Sequence, residues 1–334
     1  MTQWKLDIKK IKSNTKHLSA VALASCLLIG GANAAEWKLG HVLPPTHPAN
    51  IALEKAAAEI AAKTDNRVEI KVYPAGQIGS AKEVLVGMTI GTHEMAFDGA
   101  GILSQWTPSL GVFEAPFISK DFNHLVRMTE SKKGQSIFNE LKNKHGLRIL
   151  DVWYYGTRHI TNNKRAVNSV ADLKGLKLRV PEVTLSLEFA KKLNMQPTPI
   201  AFSELYFSMQ TGVVDGQENP LTTINAAKFY EVQKHLVLSG HMVQFVAPIV
   251  SENVWKSTSK ADRKVVKEVF TRIGSDYNNQ IIALEKSLVK TLEKKGMQVS
   301  RPDRSVLARK MKSVYKSFEK VWGKDVYSSL SQVK

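Results

Sequence analysis

The chain has little of what several common chemistries require. Only one of its 334 residues is a cysteine, Cys26. Beyond an apolar run of about a dozen residues near the N-terminus, no segment approaches the ~20 apolar residues that a membrane-spanning helix needs. The sequence has no His-Glu-x-x-His motif, no phosphate-cradling glycine-rich loop before Lys-Ser/Thr, and no nucleophile elbow. Missing motifs do not exclude an enzyme, but nothing in the sequence favours one.

The N-terminus has the parts of an export signal. A lysine-rich stretch precedes an apolar run at residues 19–29, and Ala32-Asn33-Ala34 then forms the small-x-small pattern that a signal peptidase reads. We therefore expect residues 1–34 to be a signal peptide and the mature chain to be a soluble periplasmic protein. A lipid anchor at Cys26 is the alternative, because residues 23–26 resemble a lipobox. Without that anchor the mature chain has no cysteine, which excludes disulfides, thiol catalysis and thiolate metal sites.

The chain is basic, but the pattern of its charge does not favour a nucleic-acid partner. Residues 1–34 hold five lysines and one aspartate, so the formal net charge falls from +17 to +13 without them. The excess is concentrated in the last third, on the polar faces of predicted amphipathic helices that lack interleaved aromatic residues for base stacking. We interpret these faces as solvated and expect no nucleic acid to bind. A surface-interaction protein that uses these basic helices remains an alternative function.

The mature N-terminal part alternates strand and helix patterns, and the same alternation restarts near residue 147. This order favours an α/β fold with a mainly parallel sheet, helices on both faces, and ligands at the carboxyl ends of the strands. A β-rich stretch at 245–250 is predicted to return the chain to the first sheet. The other strands are predicted at about 37–43, 68–74, 94–98, 147–154 (continued by 160–162), 176–180 and 197–200, and helices at about 50–63, from 81, 184–193 and 202–211.

About 300 mature residues usually form two domains. A very long helix is predicted to join them, because Ser259 is a suitable N-cap and an apolar stripe continues to Gly296. At ~1.5 Å per residue such a helix exceeds about 50 Å, more than one small domain needs. We interpret it as a strut across both domains. A coiled coil is the rival interpretation, although the heptad repeat is irregular and Gly274 interrupts it.

Two arginines are the most informative candidates for function. Arg158 and Arg179 each come where a strand-like run ends, without an acidic partner nearby in the sequence. A guanidinium stays charged and needs acceptors, and a carboxylate or phosphate suits its planar fork. A ligand could supply that acceptor, or Arg179 could pair with an acid of its own domain.

The densest motifs of the chain match a known family. They lie at residues 155–158, 171–181, 197–206, 210–220 and 228–234. With these motifs the mature chain resembles the C4-dicarboxylate-binding type of substrate-binding protein from tripartite ATP-independent periplasmic (TRAP) transporters. The resemblance implies two α/β lobes that close over a small carboxylate and deliver it to a sodium-driven membrane permease. We expect a monomer that is not an enzyme, although an exported α/β enzyme acting on an acidic molecule is the alternative.

We place the lobe boundaries where the predicted long helix and the later strands cross between the two halves. Lobe I is expected to contain residues 35–156 and about 245–284. Lobe II is expected to contain residues 157–244 and about 285–334. The chain would then cross between the lobes more than once.

The resemblance also implies roles for particular residues. Arg179 would grip the ligand carboxylate, Arg158 would support the same anion, Asn219 would face the ligand and Phe202 would line the cleft. From lobe I, Asp98 at the end of a strand is placed to contact a ligand hydroxyl, and His41 lies close by. Each has a structural alternative: Asn219 as a turn residue before Pro220, Phe202 as core, and Asp98 as a loop cap.

The ligand is expected to be an organic acid other than sialic acid. Sialic-acid binders of this family carry Asn-Ala just after the first strand and an arginine in the loop after the third. This chain has His41-Val42-Leu43-Pro44 and Gly99-Ala100-Gly101-Ile102 at those places. No cofactor is expected, and no metal, because His41 and His47 lack an evident third ligand.

Overall fold

A computed structural model describes residues 35–334. The predicted signal peptide and the lipobox cysteine lie outside these residues. Strands and helices alternate through the chain. The strands are β1 (Ala35–Gly40), β2 (Val68–Tyr73), β3 (Met95–Gly99), β4 (Leu147–Ile149), β5 (Trp153–Asn162), β6 (Lys177–Val180), β7 (Gln196–Pro199), β8 (Gly216–Pro220), β9 (His235–Ser251) and β10 (Gln298–Ser300).

The helices cover this sheet and include one that is far longer than the others. None of the helices within residues 35–334 combines the length and the apolar character needed to cross a bilayer. The α-helices are α1 (Pro48–Lys63), α2 (Ala81–Ile90), α3 (Ala100–Leu103), α4 (Phe122–Glu130), α5 (Lys132–His145), α6 (Thr184–Lys192), α7 (Phe202–Gln210), α8 (Leu221–Ala226), α9 (Glu252–Ser257), α10 (Lys260–Lys294), α11 (Arg304–Trp322) and α12 (Val326–Ser331).

All ten strands belong to one sheet, in the order β2-β1-β3-β9-β5-β8-β6-β7, with β4 and β10 also pairing with β9. The β1–β2, β1–β3 and β6–β7 pairs are parallel, as predicted, whereas β9 runs antiparallel to β3 and β5. Strand β9 has 17 residues, many more than the predicted stretch 245–250, because its N-terminal half pairs with the end of β5. This one strand connects the two parallel parts of the sheet.

One strand prediction was wrong, and one strand was missed. The predicted strand 147–154 is broken into β4 and β5, because residues 150–152 have no paired partner in the β9 register, although the Leu150 amide still donates to the Pro248 carbonyl at 2.9 Å. Strand β8 was not predicted, because its polar sequence Gly-Gln-Glu-Asn-Pro lacks an apolar alternation. Every residue of β8 is nevertheless buried, and the side chains of Gln217 and Glu218 find partners on β5. Asn219 therefore lies within a strand and not in a turn.

Helix α10 packs against both hydrophobic clusters of the chain. It has 35 residues, and the Ser259 side chain caps its N-terminus as predicted. Its N-terminal part, including Phe270, belongs to the larger cluster, whereas Leu288 and Leu292 belong to the smaller cluster formed with α7 and α8. The helix continues through Gly274, where a Cβ would lie only 2.2 Å from Trp153 Nε1. This glycine permits close packing on β5, which agrees with a strut and not a coiled coil.

Candidate ligand-binding site

A cavity of about 100 Å³ lies where several strands end. Its lining includes residues that follow β1, β3, β6 and β7, together with side chains from the interior of β5, β8 and β9. The carboxyl ends of parallel strands meet at one edge of a sheet. The antiparallel strands β5, β8 and β9 bring further residues to the same place. The fold thus collects polar side chains that are far apart in the sequence around one space.

Arg179 is a buried cation that lines this cavity without a counterion of its own. Its side chain donates from Nε to the carbonyl of Ile200 at 2.8 Å, and its guanidinium carbon lies 6.0 Å from the Phe202 ring centre. Among residues 35–334 it has no ion pair. Burial lowers the pKa of Arg179 to about 10, although the Glu218 carboxylate acts in the opposite direction. The protein therefore holds a positive charge here that its own groups compensate only in part.

Arg158 has the opposite environment, because Glu218 neutralises it directly. Nε and Nη2 of Arg158 donate to the two carboxylate oxygens of Glu218, and Nη2 also donates to the Glu218 carbonyl at 2.6 Å. Nη1 donates to Gln244 Oε1 at 2.7 Å. His241 Nε2 lies 3.1 Å from the same carboxylate. Burial opposes ionisation of Glu218, but the Arg158 charge and these hydrogen bonds outweigh it and lower the pKa to about 2.

Two further carboxyl groups, Asp98 and Glu114, line the cavity. Asp98 accepts the Gly99 amide at 2.7 Å, and Glu114 accepts Gln244 Nε2 at 2.6 Å. Burial, together with the Glu114 charge, raises the pKa of Asp98 to about 7, and burial also raises that of Glu114. A Cβ at Gly101 would lie 2.1 Å from Glu114 Oε2, so only glycine permits this approach.

Asn219 and Phe202 also border the cavity. Asn219 is buried and donates from Nδ2 to Gln217 Oε1 at 2.5 Å. Phe202 is the first residue of α7, and its ring lies 5.9 Å from that of Phe229. The ring is only partly buried and faces the cavity on one side, so Phe202 serves both the core and the cavity wall.

Five of the six predicted site residues therefore come together, and His41 does not. His41 is buried beside the cavity, where Nδ1 accepts the Leu43 amide at 3.1 Å and Nε2 lies 3.0 Å from Asn50 Oδ1. Burial lowers its pKa to about 4, so the ring is neutral near pH 7. Its neighbours Val42 and Leu43 line the cavity instead.

His41 and His47 are both engaged in hydrogen bonds. His47 caps α1 by accepting the Ala49 amide at 3.1 Å, and its Nε2 lies 3.3 Å from Thr223 Oγ1. In the part of the chain that the structure describes, no group of three or more His, Cys, Asp or Glu side chains is arranged to hold a metal ion.

Sequence reasoning missed four polar residues of the wall, Ser80, Glu114, Glu182 and Gln244. Gln244 and Glu114 both lie within apolar stretches, and each is a single polar residue among buried neighbours. A lone polar residue inside a buried segment needs a partner, and that pattern could have marked both. Tyr155, one of three adjacent aromatic residues at 153–155, was not among the predicted site residues. It lines the cavity, and its hydroxyl accepts Thr223 Oγ1 at 3.0 Å.

The chain is similar to known binding proteins along most of its length. Residues 39–321 match the model of bacterial extracellular solute-binding protein, family 7. The sialic acid-binding periplasmic protein SiaP of Vibrio cholerae is 37% identical over 268 residues, which cover 80% of this chain and 83% of that protein.

Two solved structures of similar proteins contain sugar acids. A TRAP periplasmic solute-binding protein from Polaromonas, bound to D-erythronate, superposes with a TM-score of 0.85 at 29% identity. A second, from Haemophilus influenzae with L-gulonate, superposes with a TM-score of 0.84 at 30% identity. Each comparison covers 90% of this chain and 99% of the other.

Proposed function

This chain belongs to family 7 of the bacterial extracellular solute-binding proteins, and we propose that its cavity captures a small organic acid through Arg179. The family comprises the two-lobed periplasmic proteins of TRAP transporters, which bind small carboxylates and work with a membrane permease. They are binding proteins and not enzymes, so the enzyme alternative has no support.

The observation that carries the proposal is the unpaired guanidinium of Arg179. Both Nη groups lack a hydrogen-bond partner among residues 35–334, while Nε is held by the Ile200 carbonyl. A ligand carboxylate that accepts from this group would supply the missing counterion. Charge-assisted hydrogen bonds of this kind are about twice as strong as neutral ones. A bare guanidinium in a buried wall is unfavourable, so the free protein is prepared for an anion.

Ligand-driven closure follows from the origin of the lining residues. Asp98 and Leu43 come from the predicted lobe I, whereas Arg179, Asn219 and Phe202 come from the predicted lobe II. A ligand that touches both groups of residues only in the closed form shifts the population toward that form. The lobe boundaries themselves stay a prediction.

The size of the cavity favours a compact acid. One buried water needs about 10–15 Å³ measured in the same way, so a volume of about 100 Å³ has room for roughly seven to ten water-sized groups. D-erythronate and L-gulonate, the ligands of two similar proteins, are much smaller than the sialic acid that the Vibrio relative binds. We propose an acid nearer the size of erythronate.

The protein is periplasmic like its family, and we propose that it is released as a monomer after cleavage behind Ala34. Intact-mass measurement of the protein from a periplasmic extract tests this proposal. A mass corresponding to an N-terminus at Ala35 is expected. Recovery from membranes of a lipid-modified chain that begins at Cys26 would contradict this proposal and favour the lipid-anchored alternative.

The central test is the affinity of the Arg179→Ala protein. A thermal-shift screen of organic and sugar acids first identifies a ligand, because binding raises the melting temperature. Isothermal titration should then show that Arg179→Ala weakens its binding by at least about a hundredfold, since the one arginine without a counterion in the described cavity wall is lost. Arg309→Ala, at an exposed position on α11, is the matched control and should bind like the wild type. Undiminished affinity of Arg179→Ala would remove the proposal.

A further inference from the structure

The cavity wall has more carboxyl residues than arginines, and its two arginines differ in whether they are already paired. Two arginines and three carboxyl residues (Asp98, Glu114 and Glu182) reach its wall. Arg158 is already neutralised by Glu218, which approaches it in a bidentate arrangement. Arg179 is therefore the one arginine of the described wall that has no counterion and has both Nη groups unused, whereas Arg158 keeps a single unused N–H on Nη1. A ligand carboxylate thus meets one arginine here whose charge is not already neutralised.

Asp98 and Glu114 make one part of the wall acidic. Neither is ion-paired with Arg179, although all three line the same cavity. Glu114 is held by Gln244, whose amide oxygen in turn accepts from Arg158, so its position is fixed by the buried network. A second ligand carboxylate near this wall would meet like charge and have no free cation to pair with.

The rest of the wall is mostly apolar. Its apolar side chains include Leu43, Phe97, Ile102, Val246 and Phe202. A chain of many hydroxyl groups would leave some of them against these side chains without hydrogen-bond partners, which is unfavourable. The lining thus suits an aliphatic chain with few polar substituents.

We infer that the ligand is an aliphatic monocarboxylate whose far end carries a hydroxyl group bonded to Asp98, and that Asp98 and Glu114 together reject dicarboxylates. This inference rests on the proposed function, because it takes Arg179 as the partner of the ligand carboxylate. A hydroxyl both donates and accepts, so it can bond the Asp98 carboxyl in either protonation state. A terminal carboxylate can only accept, and it requires Asp98 to be protonated.

Two matched series of acids test the inference by isothermal titration. Butyrate, 4-hydroxybutyrate and succinate differ only at the far end, and hexanoate, 6-hydroxyhexanoate and adipate repeat this contrast on a longer chain. Measurements at pH 8, above the pKa of about 7 of Asp98, keep this group ionised. In at least one series the hydroxy acid should bind at least about tenfold more tightly than both companions, as expected for a hydrogen bond to a charged group. Equal or tighter binding of the dicarboxylate, or no binding of either hydroxy acid, would overturn the inference.

Asp98→Asn shows whether this residue causes the discrimination. The amide keeps the size of the side chain and can still bond a hydroxyl, but it no longer repels a carboxylate. The preference for the hydroxy acid over the dicarboxylate should fall at least about fivefold. Glu114→Gln should shift the same ratio in the same direction, and Asp276→Asn, exposed on α10, should leave it unchanged. An unchanged ratio in both cavity variants would contradict the assignment.

Arg179→Ala separates the two proposals. If a dicarboxylate binds best and this variant abolishes its binding, the proposed function stands and the inference about the hydroxyl fails. If the acids bind this variant as they bind the wild type, the carboxylate is held elsewhere and the proposed function fails.

Discussion

Arg158 and Arg179 reach the same cavity from two strands of one sheet, yet their surroundings differ completely. Arg158 donates to both oxygens of Glu218 and to Gln244. Arg179 donates to a single backbone carbonyl. Both are almost fully buried, so exposure does not distinguish them. The difference lies in whether the fold supplies a counterion.

This contrast shows how one protein uses the same residue type for two purposes. A buried guanidinium with a bidentate carboxylate is satisfied, and removing either partner exposes the other to an unfavourable environment. A buried guanidinium without that carboxylate is a site for an external anion. Gln244 accepts a hydrogen bond from Arg158, and this bond orients the Gln244 amide nitrogen toward Glu114. The ion-paired Arg158 therefore shapes the cavity wall around Arg179.

The largest expected effect is on stability at the satisfied arginine. Glu218→Gln leaves Arg158 buried with a neutral partner, and the free energy of unfolding should fall by about 3–5 kcal/mol. Urea denaturation followed by circular dichroism measures this change. Glu188→Gln removes an exposed pair with Lys191 and should change stability by less than about 1 kcal/mol. Equal effects of the two substitutions would show that Arg158 does not depend on Glu218.

A pH series sharpens the comparison, because the buried groups titrate in different ranges. Burial lowers the pKa of His41 to about 4 and the pKa values of His47 and His159 to about 3. The unfolded chain binds these protons near pH 6.5, so stability falls as the pH falls below this value. The raised pKa of Asp98 means that the folded protein binds this proton more readily than the unfolded chain does, which offsets the effect of one of the three histidines. The free energy of unfolding should decrease by up to about 3 kcal/mol per pH unit between pH 6 and 5.

The ion pair of Arg158 should be insensitive in that range. The pKa of Glu218 is lowered to about 2 from 4.5, so its stabilisation is complete above about pH 4.5 and is lost only as the pH falls toward 2. The destabilisation caused by Glu218→Gln should therefore be the same at pH 7 and pH 5.5. A destabilisation that already shrinks between these two values would mean that the carboxylate is not held by Arg158.

A milder substitution tests the geometry at the unsatisfied arginine. Arg179→Lys keeps the positive charge but loses the planar fork, so ligand affinity should fall by about tenfold, or about 1.4 kcal/mol. The free energy of unfolding without ligand should stay within about 1 kcal/mol of the wild type, because no internal ion pair is broken. Titration calorimetry and urea denaturation on the same samples separate the two quantities. A loss of stability as large as that of Glu218→Gln would erase the distinction between the two arginines.

The smallest expected effect concerns the ring beside Arg179. Phe202→Leu removes an aromatic face 6.0 Å from the guanidinium carbon while it keeps an apolar side chain. Affinity should fall by about 0.5–1 kcal/mol, roughly two- to fivefold. Phe207→Leu, on the exposed side of the same helix, is the control and should bind as the wild type does. A larger loss of affinity in Phe207→Leu than in Phe202→Leu would mean that the effect comes from a change in helix α7 and not from the aromatic ring.

Much of the fold could be predicted from local patterns. The Ser259 cap and the apolar stripe of α10 were sufficient to predict this helix, because the period of 3.6 residues is repeated over many turns. Strand β6, which contains Arg179, was also predicted from the local residue pattern. Strand β8 was missed, because Gln217 and Glu218 are satisfied by partners more than fifty residues away, Thr161 and Arg158.

The candidate site divides in the same way. Arg158, Arg179, Asn219, Phe202 and Asp98 were predicted, and each lines the cavity. His41 was predicted from its position after β1, but the chain bends there and its ring turns toward Asn50. Gln244 and Glu114 come from segments without any recognised motif. Position along a strand therefore predicted which end a residue approaches, but not the direction of its side chain.

The amino-acid sequence by itself determined most of the strands, the long helix and the importance of two arginines, because these depend on periodicity and on neighbouring residues; the prediction that Arg158 ends a strand was wrong, since it lies inside β5. Only the tertiary structure decided which arginine is neutralised. Arg158 and Glu218 are 60 residues apart and meet because β5 pairs with β8. Charge pairing depends on distance in space, and strand order sets that distance.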